Sequence, residues 1–384
     1  MKKVSIFVLL LSLVVTLTAC TTSTPTSPPT AAPTAAPTAA PTEPPPPPPP
    51  GDDLFELALI TDLGTIDDKS FNQGSWEGLV KYAEEQGIAH KYYQPAEQSE
   101  NAYLDTIELA VKGGAKVIVT PGFLFEVPVF IAQDLYPEVC FILVDGVPHN
   151  EDYSVFQTND NVVGLLYAEE EAGFLAGYAA VRDGATSLGF MGGMAVPAVI
   201  RFGYGFVQGA EYAAQELGLA DNSVRLNYHY TGGFNATPEI QTMSAAWFAD
   251  RIDVIFGCGG AVGNSVMAAA EESGGYVIGV DVDQSGESPT VISSAMKGLR
   301  ESVYSAISDY YAGAFPGGQA LVFTSKNAGV GLPMESSKFD LFTQEEYDTI
   351  FAKLMDGEIE LLKDTDADHV TDLPVKAVVI TYFD

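Results

Sequence analysis

A glycine-rich turn and one acidic residue carry the clearest chemical pattern in the sequence. Gly257, Gly259 and Gly263 follow a short apolar run and open a helical pattern, and Asp281 ends the next apolar run. Glycines at such a turn let the backbone approach a ligand closely. A carboxylate at the position of Asp281 can accept charge-assisted hydrogen bonds from the two hydroxyls of a ribose. The spacing resembles that of a dinucleotide-binding oxidoreductase, although the third glycine lies one position later than in the common fingerprint.

Other patterns that would indicate catalysis or a metal site are incomplete. The segment 64–70 has Asp68 where a phosphate-binding loop needs a glycine before its lysine, and neither Gly-x-Ser-x-Gly nor His-Glu-x-x-His occurs. The histidines are too scattered to predict a metal site. These incomplete patterns give no support to catalysis, and we expect neither an enzyme nor a bound metal or cofactor. The four histidines are His90, His149, His229 and His369.

Short apolar runs alternate with amphipathic stretches after residue 53, which is typical of alternating strands and helices. Such alternation predicts an α/β fold of parallel sheets covered by helices on both faces, and the length of the region predicts two lobes. The predicted strands are 56–61, 117–120, 140–144, 187–191, 254–256 and 276–280, and the predicted helices are 75–86, 101–112, 162–181, 199–217 and 261–273.

Ligands of doubly wound sheets bind beyond the carboxyl ends of the strands. The segments at these positions are rich in Gly, Asp and Asn. We expect an N-terminal lobe over 53–160 plus about 285–325, and a C-terminal lobe over 161–284 plus about 326–384, joined by a hinge. The segments beyond the strands are 62–73, 121–122, 145–146, 192–193, 257–260 and 281–284.

Residues 1–19 have the pattern of a secretory signal peptide. Lys2 and Lys3 precede an apolar run over residues 4–15, which is shorter than the roughly 20 residues that span a bilayer. Leu17-Thr18-Ala19-Cys20 resembles a bacterial lipobox, in which the cysteine becomes the diacylated N-terminus. Two acyl chains hold a protein at a membrane more firmly than one. We expect a lipid anchor at Cys20 on the extracytoplasmic face of the cell membrane, where a protein would not ordinarily meet NAD.

Residues 20–52 form a linker rich in Thr, Pro and Ala that ends in an unbroken proline run, Pro44 to Pro50. This composition predicts a semi-rigid polyproline spacer.

The whole chain has 18 basic and 51 acidic residues and a net charge of −33, which argues against a nucleic-acid partner. Cys140 and Cys258 lie in apolar strand-like segments, so we expect buried free thiols rather than a disulfide.

Four sequence blocks follow one another along the chain after the linker. The first is Asp67-Asp68-Lys69-Ser70-Phe71-Asn72-Gln73 with Trp76-Glu77-Gly78. The others are Ala172-Gly173-Phe174-Leu175-Ala176-Gly177, then Gly189-Phe190-Met191-Gly192-Gly193 with Phe202 and Gly205-Phe206, and then Gly279-Val280-Asp281-Val282-Asp283-Gln284. In this order the blocks resemble the basic membrane protein family of lipoproteins, which implies a type I periplasmic-binding fold. The resemblance also implies that the chain binds a purine nucleoside and serves the permease of an ABC importer, and we expect a monomer.

The resemblance further implies a base sandwiched between two aromatic rings. Phe71 and Phe202 would be the stacking pair, with Phe206 as a substitute for the second ring. Asn72 and Asp145 would contact the edge of the base. Core packing is the alternative role for Phe71, and capping of the first helix is the alternative for Asn72.

The remaining candidate ligand residues concern the sugar and the loops. The resemblance places Asp281 at the ribose hydroxyls and Lys297 near the sugar. Gly257 and Gly259 would offer backbone contacts, although their loop departs from the usual Ala-Ala-Gly-Gly sequence of the family. Asp62 either contacts the ligand or fixes its loop through Asx-type hydrogen bonds. Riboflavin, a pyrimidine nucleoside or a sugar are the alternative ligands.

Overall fold

Strands and helices alternate along the part of the chain that the computed structural model describes, residues 54–62 and 64–384. The expected signal peptide, lipid anchor and linker lie outside these residues. The strands are β1 (Leu57–Ile60), β2 (His90–Tyr93), β3 (Val117–Pro121), β4 (Cys140–Val144), β5 (Val162–Tyr167), β6 (Ser187–Gly192), β7 (Val224–Tyr230), β8 (Val254–Cys258), β9 (Tyr276–Asp281), β10 (Val291–Lys297), β11 (Gln319–Phe323), β12 (Val330–Gly331) and β13 (Val378–Phe383). The α-helices are α1 (Phe71–Gln86), α2 (Glu100–Lys112), α3 (Glu126–Leu135), α4 (Glu169–Arg182), α5 (Pro197–Glu216), α6 (Pro238–Ala249), α7 (Val262–Ser273), α8 (Leu299–Tyr311) and α9 (Gln344–Asp356).

The sheet of the N-terminal lobe has six parallel strands in the order β11-β5-β4-β3-β1-β2. The central strands β1, β3, β4 and β5 are apolar and buried on both faces, because helices cover both sides. In β1, Leu57 and Leu59 pack on the side of α1, whereas Ala58 and Ile60 pack on the side of α2 and α3. The alternation of side chains along a strand thus serves two separate cores.

The sheet of the C-terminal lobe has seven strands in the order β12-β10-β9-β8-β6-β7-β13. All neighbours are parallel except the short β12, which runs antiparallel to β10. Phe190 and Phe256 pack on the side of α5, and Met191 and Ile255 pack against α6 and α7. The predicted fold class, two doubly wound parallel-sheet lobes, is confirmed.

The chain passes between the two sheets around Ala168, around Gly298 and within residues 324–329. This corrects the expected lobe boundaries at two strands. β5 belongs to the N-terminal sheet because it pairs with β4, and β10 belongs to the C-terminal sheet because it pairs with β9. In both cases the chain crosses after the strand, on the way to the next helix, and not before it.

The six predicted strands are all present, but the predicted helix over 162–181 is wrong in its first third. Residues 162–167 form β5, and α4 begins at Glu169. The sequence Val-Val-Gly-Leu-Leu-Tyr is apolar throughout, so periodicity alone cannot separate a buried strand from a buried helix. The error matters because it hides the carboxyl end of a strand.

Cys140 and Cys258 are both free, and Cys258 is buried. Among the helices of residues 54–62 and 64–384, none is long and apolar enough to cross a membrane. The same residues contain no cluster of His, Cys, Asp and Glu that could hold a metal ion.

Candidate functional site

Lys297, the last residue of β10, lies at the centre of a buried charged cluster. Its Nζ donates a short hydrogen bond to Asp145 Oδ2, lies 3.1 Å from Glu169 Oε1 and lies 3.9 Å from Asp281 Oδ1. Asp145 follows β4, Asp281 ends β9 and Glu169 begins α4. The carboxyl ends of strands from both sheets therefore meet at one lysine, as the strand-end rule predicts.

Three aromatic rings enclose the same ammonium group. Lys297 Nζ lies 5.1 Å from the ring centroid of Phe71, 5.3 Å from that of Tyr167 and 5.3 Å from that of Phe202. A cation within about 6 Å of a ring face is attracted by the ring quadrupole. Phe71 and Phe202, the predicted stacking pair, thus lie at one site although their positions are far apart in the sequence.

The charges of the cluster are strongly coupled. Burial raises the pKa of Asp145 to about 7 against the opposing charge of Lys297, and the negative charges of Glu169 and Asp281 act in the same direction as burial. Burial also raises the pKa of Asp281. Burial alone would lower the pKa of Lys297, but the three carboxylates raise it well above its usual range. Three acids share one lysine, and ionising all three in a buried site costs free energy because their negative charges repel one another.

Asp145 and Asp281 both adopt a left-handed backbone conformation, with φ of 57° and 68°. This conformation is uncommon for residues other than glycine and costs free energy unless the surrounding structure enforces it. Asp145 directly follows β4 and Asp281 is the last residue of β9, and both carboxylates face Lys297. Two of the predicted ligand residues are thus among the seven non-glycine residues of the described part of the chain that have a positive φ.

The N-terminus of α1 is capped by Asp68. Its carboxylate accepts hydrogen bonds from the backbone N–H groups of Ser70, Asn72 and Gln73. The alternative capping role for Asn72 is therefore wrong, because Asp68 satisfies these donors. Asn72 is buried in the second position of the helix instead.

The side-chain amide of Asn72 is oriented by two acids. Its Nδ2 donates to Asp62 Oδ1 at 2.9 Å and to Asp68 Oδ2 at 3.0 Å. Within the described residues its Oδ1 is buried without a hydrogen-bond partner. Because both amide hydrogens are engaged, Asn72 offers a ligand an acceptor only.

Asp62 orders the loop at the end of β1. Its Oδ1 accepts from the backbone N–H of Gly64 at 3.0 Å in an Asx-type hydrogen bond, and it also accepts from Asn72. Asp62 thus makes the expected loop-fixing hydrogen bond and also holds the side chain of Asn72.

Further polar contacts join the two lobes next to Asp281. Ser70 Oγ donates to Asp281 Oδ2 at 2.5 Å, and Gln284 Nε2 donates to the backbone carbonyl of Lys69 at 2.7 Å. Lys69 Nζ lies 3.7 Å from Glu287 Oε1 in a half-exposed ion pair. The segment before α1 is thus attached to the loop that follows β9.

Phe206 does not reach the charged cluster. It is fully buried and packs on Phe256 with ring centroids 5.3 Å apart, while its backbone carbonyl faces Gly177. Its expected role as a substitute stacking ring is therefore corrected, since helix periodicity turns it into the core between α4 and α5. Phe202 is also nearly buried, but its ring approaches Lys297.

Gly257 and Gly259 lie in the turn from β8 to α7. A side chain at Gly257 would come within 3.1 Å of Gly263 Cα, and Gly259 has a φ of 143° with Gly193 and Phe234 close by. The βαβ unit of a dinucleotide site is thus present in outline. Asp281, however, bonds to Ser70 of the other lobe, so its carboxylate faces the interlobe site.

Four residues at or beside the site were absent from the predicted set: Tyr167, Glu169, Ser70 and Phe234. Glu169 follows β5, so the strand-end rule would have found it if β5 had been recognised. Phe234 lies in the Gly232-Gly233-Phe234 loop after β7, another strand that was not predicted. Its partly buried ring packs against Gly193 and the glycine turn.

Comparison with known proteins places this arrangement in a family. A sequence profile described as "ABC transporter substrate-binding protein PnrA-like" matches residues 55–365. "Basic membrane protein A2" of Borrelia garinii subsp. bavariensis is 31% identical over 301 residues, covering 77% of this chain and 85% of the relative. "ABC transporter nucleoside-binding protein BmpA" of Lactococcus lactis subsp. cremoris is 29% identical over 307 residues, covering 74% and 83%.

A solved structure has the same fold. The solute-binding protein of an ABC transporter system from Aeropyrum pernix K1 superposes with a TM-score of 0.70 at 24% identity, covering 83% of this chain and 96% of that one. The profile match spans most of the chain, and the similarity to basic membrane proteins confirms the resemblance seen in the four sequence blocks. The chain therefore belongs to the family of PnrA-like substrate-binding proteins of ABC transporters, which bind substrates rather than convert them.

Proposed function

We propose that this protein binds a purine nucleoside between its two lobes, as the lipid-anchored, extracytoplasmic binding component of an ABC importer. The observation that carries the proposal is the convergence of Phe71, Asp281 and Lys297, from both lobes, on one buried site. A ring suits the face of a base, and an acid suits a ribose. Neither feature alone would select a nucleoside.

Phe71 supplies the base half of the site. It begins α1 and is only partly buried, so its ring retains surface for a ligand. Stacking of a base on an aromatic side chain contributes about 1 to 3 kcal/mol. Next to it, Asn72 Oδ1 is a buried acceptor and requires an N–H on the edge of the base. A purine carries such donors.

The second ring comes from the C-terminal lobe. Phe202 lies closer to Lys297, whereas Phe234 is less buried and lies on the glycine turn. We retain Phe202 as the proposed partner of Phe71. Phe202→Ala and Phe234→Ala can be compared directly, since the stacking ring is the one whose loss weakens the free base and the nucleoside equally.

Asp281 supplies the ribose half. Its carboxylate is held by Ser70 and faces Lys297, and an ionised carboxylate has spare lone pairs for two hydroxyl donors. Charge-assisted hydrogen bonds of this kind contribute about 1.5 to 3 kcal/mol. The ribose would therefore be recognised through its hydroxyls beside Asp281, and Lys297 would donate to an oxygen of the sugar.

Isothermal titration calorimetry tests the ligand class. Adenosine, guanosine and inosine should bind more tightly than cytidine, uridine, ribose, riboflavin or NAD. Mass spectrometry of small molecules released by denaturing the purified protein gives an independent identification. A clear preference for a sugar, a flavin or a pyrimidine nucleoside would replace the proposed ligand, and turnover of NAD would overturn the proposal.

Metabolic labelling tests the anchor, which rests on residues 17–20 and the preceding apolar run. A labelled fatty acid should mark the wild type at the membrane. Cys20→Ser should abolish the label and release the protein, whereas Cys140→Ser should change neither. Retention of Cys20→Ser at the membrane would contradict lipid anchoring.

A further inference from the structure

Glu169 is a buried acid to which the proposed base half and ribose half of the site give no role. It is the first residue of α4, immediately after the chain crosses from β5, and is 2% exposed. Its Oε1 lies 3.1 Å from Lys297 Nζ, and its Oε2 lies 3.7 Å from Arg201 Nη1. A carboxylate buried to this degree needs compensating charges, and Glu169 lies between two cations.

The geometry of Lys297 gives this contact a consequence. A lysine ammonium group has three donors. One is used by Asp145, and Glu169 attracts the group from a second direction, while Asp281 Oδ1 at 3.9 Å is beyond hydrogen-bond distance. Two acids thus set the direction of the ammonium group and leave a donor for a ligand on the side of Asp281.

We propose that Glu169 is a positioning residue for the ligand site, which holds Lys297 so that its remaining N–H is directed at a ligand oxygen beside Asp281. The proposal rests on the proposed nucleoside site and adds a residue that does not touch the ligand. Arg201, paired with Asp364 through its Nε at 2.6 Å, supports Glu169 from the other side.

Glu170 provides a matched control. It is the next residue of the same helix turn, is 3% exposed and pairs with Lys363 at 2.6 Å. Among the described residues it has no ion pair with Lys297. A substitution at Glu170 therefore removes an equally buried carboxylate charge from α4 without touching the cluster.

The test is calorimetry with inosine on the full chain. Glu169→Gln keeps the shape and removes the charge, and it should weaken inosine binding about 10-fold, the lower end of what a charge-assisted contact contributes. Glu170→Gln should leave the affinity within about 2-fold, since it removes no contact of Lys297. Equal affinities for wild type and Glu169→Gln, or equal losses in both variants, would overturn the proposal.

A double-mutant cycle with Lys297→Met tests the route of the effect. If Glu169 acts through Lys297, then Glu169→Gln should cost no further affinity once Lys297 is replaced. Additive losses would show that Glu169 acts on the ligand by another route and would overturn the positioning role.

The pH profile of inosine binding separates an electrostatic role of Glu169 from a purely structural one, because a purely structural role would not shift its midpoint. Asp145 faces Lys297, Glu169, Asp281 and Tyr167, and the charge of Glu169 raises its pKa. Glu169→Gln should therefore shift the midpoint of the profile to lower pH, and Glu170→Gln should not. An unshifted midpoint in Glu169→Gln would contradict the proposal.

Glu169→Asp covers the case in which Glu169→Gln fails to fold. It keeps the charge but shortens the reach to Lys297, so the affinity should fall while the pH midpoint stays near that of the wild type. Full affinity in this variant would also overturn the proposal. If the wild type itself binds no nucleoside, the proposed function fails, whereas wild-type binding with an insensitive Glu169 rejects only this inference.

Discussion

Lys297 and Lys69 both form ion pairs where the two lobes meet, in opposite surroundings. The side chain of Lys297 is 2% exposed and faces three acids, whereas that of Lys69 is 41% exposed and faces Glu287 alone at 3.7 Å. A buried charge that loses its partner remains desolvated and unpaired, while an exposed one is solvated by water. An ion pair between lysine and a carboxylate is therefore part of the buried site at Lys297 and an ordinary surface contact at Lys69.

The comparison also separates two ways of joining lobes. At Lys297 the contacts are electrostatic and enclosed by rings, so they define one geometry. At Lys69 the more secure contact is the hydrogen bond from the buried amide of Gln284 to the backbone carbonyl, which does not depend on charge. Of the outer contacts, only the half-exposed ion pair of Lys69 with Glu287 can be lost at low cost.

The largest effect should follow from Lys297→Met. The substitution leaves three buried carboxylates without their shared cation, and breaking such a pair from one side typically costs about 3 to 5 kcal/mol. Urea unfolding at pH 7.5 should show a loss of this size in the free energy of unfolding. A loss below about 1 kcal/mol would mean that the ion pairs of Lys297 stabilise the protein no more than exposed ion pairs do.

Phe71→Ala and Asp281→Ala should divide the site into a base half and a ribose half. Phe71→Ala should weaken inosine and its base hypoxanthine alike, by about 1 to 3 kcal/mol. Asp281→Ala should cost about 1.5 to 3 kcal/mol for inosine and leave hypoxanthine nearly unchanged. The measurement is calorimetry with both ligands, after unfolding curves confirm that each variant is folded.

Hypoxanthine must bind measurably to the wild type for this comparison to be made. Given that, equal losses for base and nucleoside in Asp281→Ala would mean that this carboxylate does not hold the ribose. A loss confined to inosine in Phe71→Ala would mean that the ring does not stack on the base.

The stability of the buried cluster should depend on pH through Asp145. Its pKa is about 7 in the folded protein and near 3.8 for an unperturbed aspartate, so the folded state binds more protons between these values. Stability from this group is therefore present below pH 4 and is lost as pH rises towards 7, by at most about 1.4 kcal/mol per pH unit.

Urea unfolding of the wild type and Asp145→Asn at several values between pH 5 and 7.5 measures this dependence. Asp145→Asn cannot ionise, so the free energy of unfolding of the wild type should fall with rising pH relative to the variant. A difference that stays constant, or that grows in favour of the wild type, would contradict the raised pKa.

The smallest effect should come from Lys69→Met. An exposed ion pair typically contributes about 0 to 1 kcal/mol, and the hydrogen bond of Gln284 to the Lys69 carbonyl remains. The unfolding free energy and the inosine affinity should both stay close to those of the wild type. A loss as large as that of Lys297→Met would remove the distinction between the two regions.

Much of the architecture follows from local pattern. The alternation of apolar runs and amphipathic stretches predicts two parallel-sheet lobes, and the six predicted strands are present. Position at a strand end limited the candidates to six segments that include Asp145 and Asp281, because the carboxyl ends of parallel strands share one edge of a sheet, and the family resemblance singled out these two acids. β5 escaped detection because an evenly apolar run has no period, and Glu169 was missed with it.

The sequence by itself determined the type of fold, the family blocks and the acids at the strand ends, since these depend on residue type and short-range spacing. Only the tertiary structure decided which side chains meet. It brought Glu169 and Tyr167 to Lys297, gave the capping of α1 to Asp68 rather than Asn72, and buried Phe206 in the core. These outcomes depend on contacts between residues that lie far apart in the sequence, as in the hydrogen bond from Ser70 to Asp281, which are 211 positions apart. No local pattern encodes such a distance, because the direction of a side chain is set by the packing of whole helices and sheets.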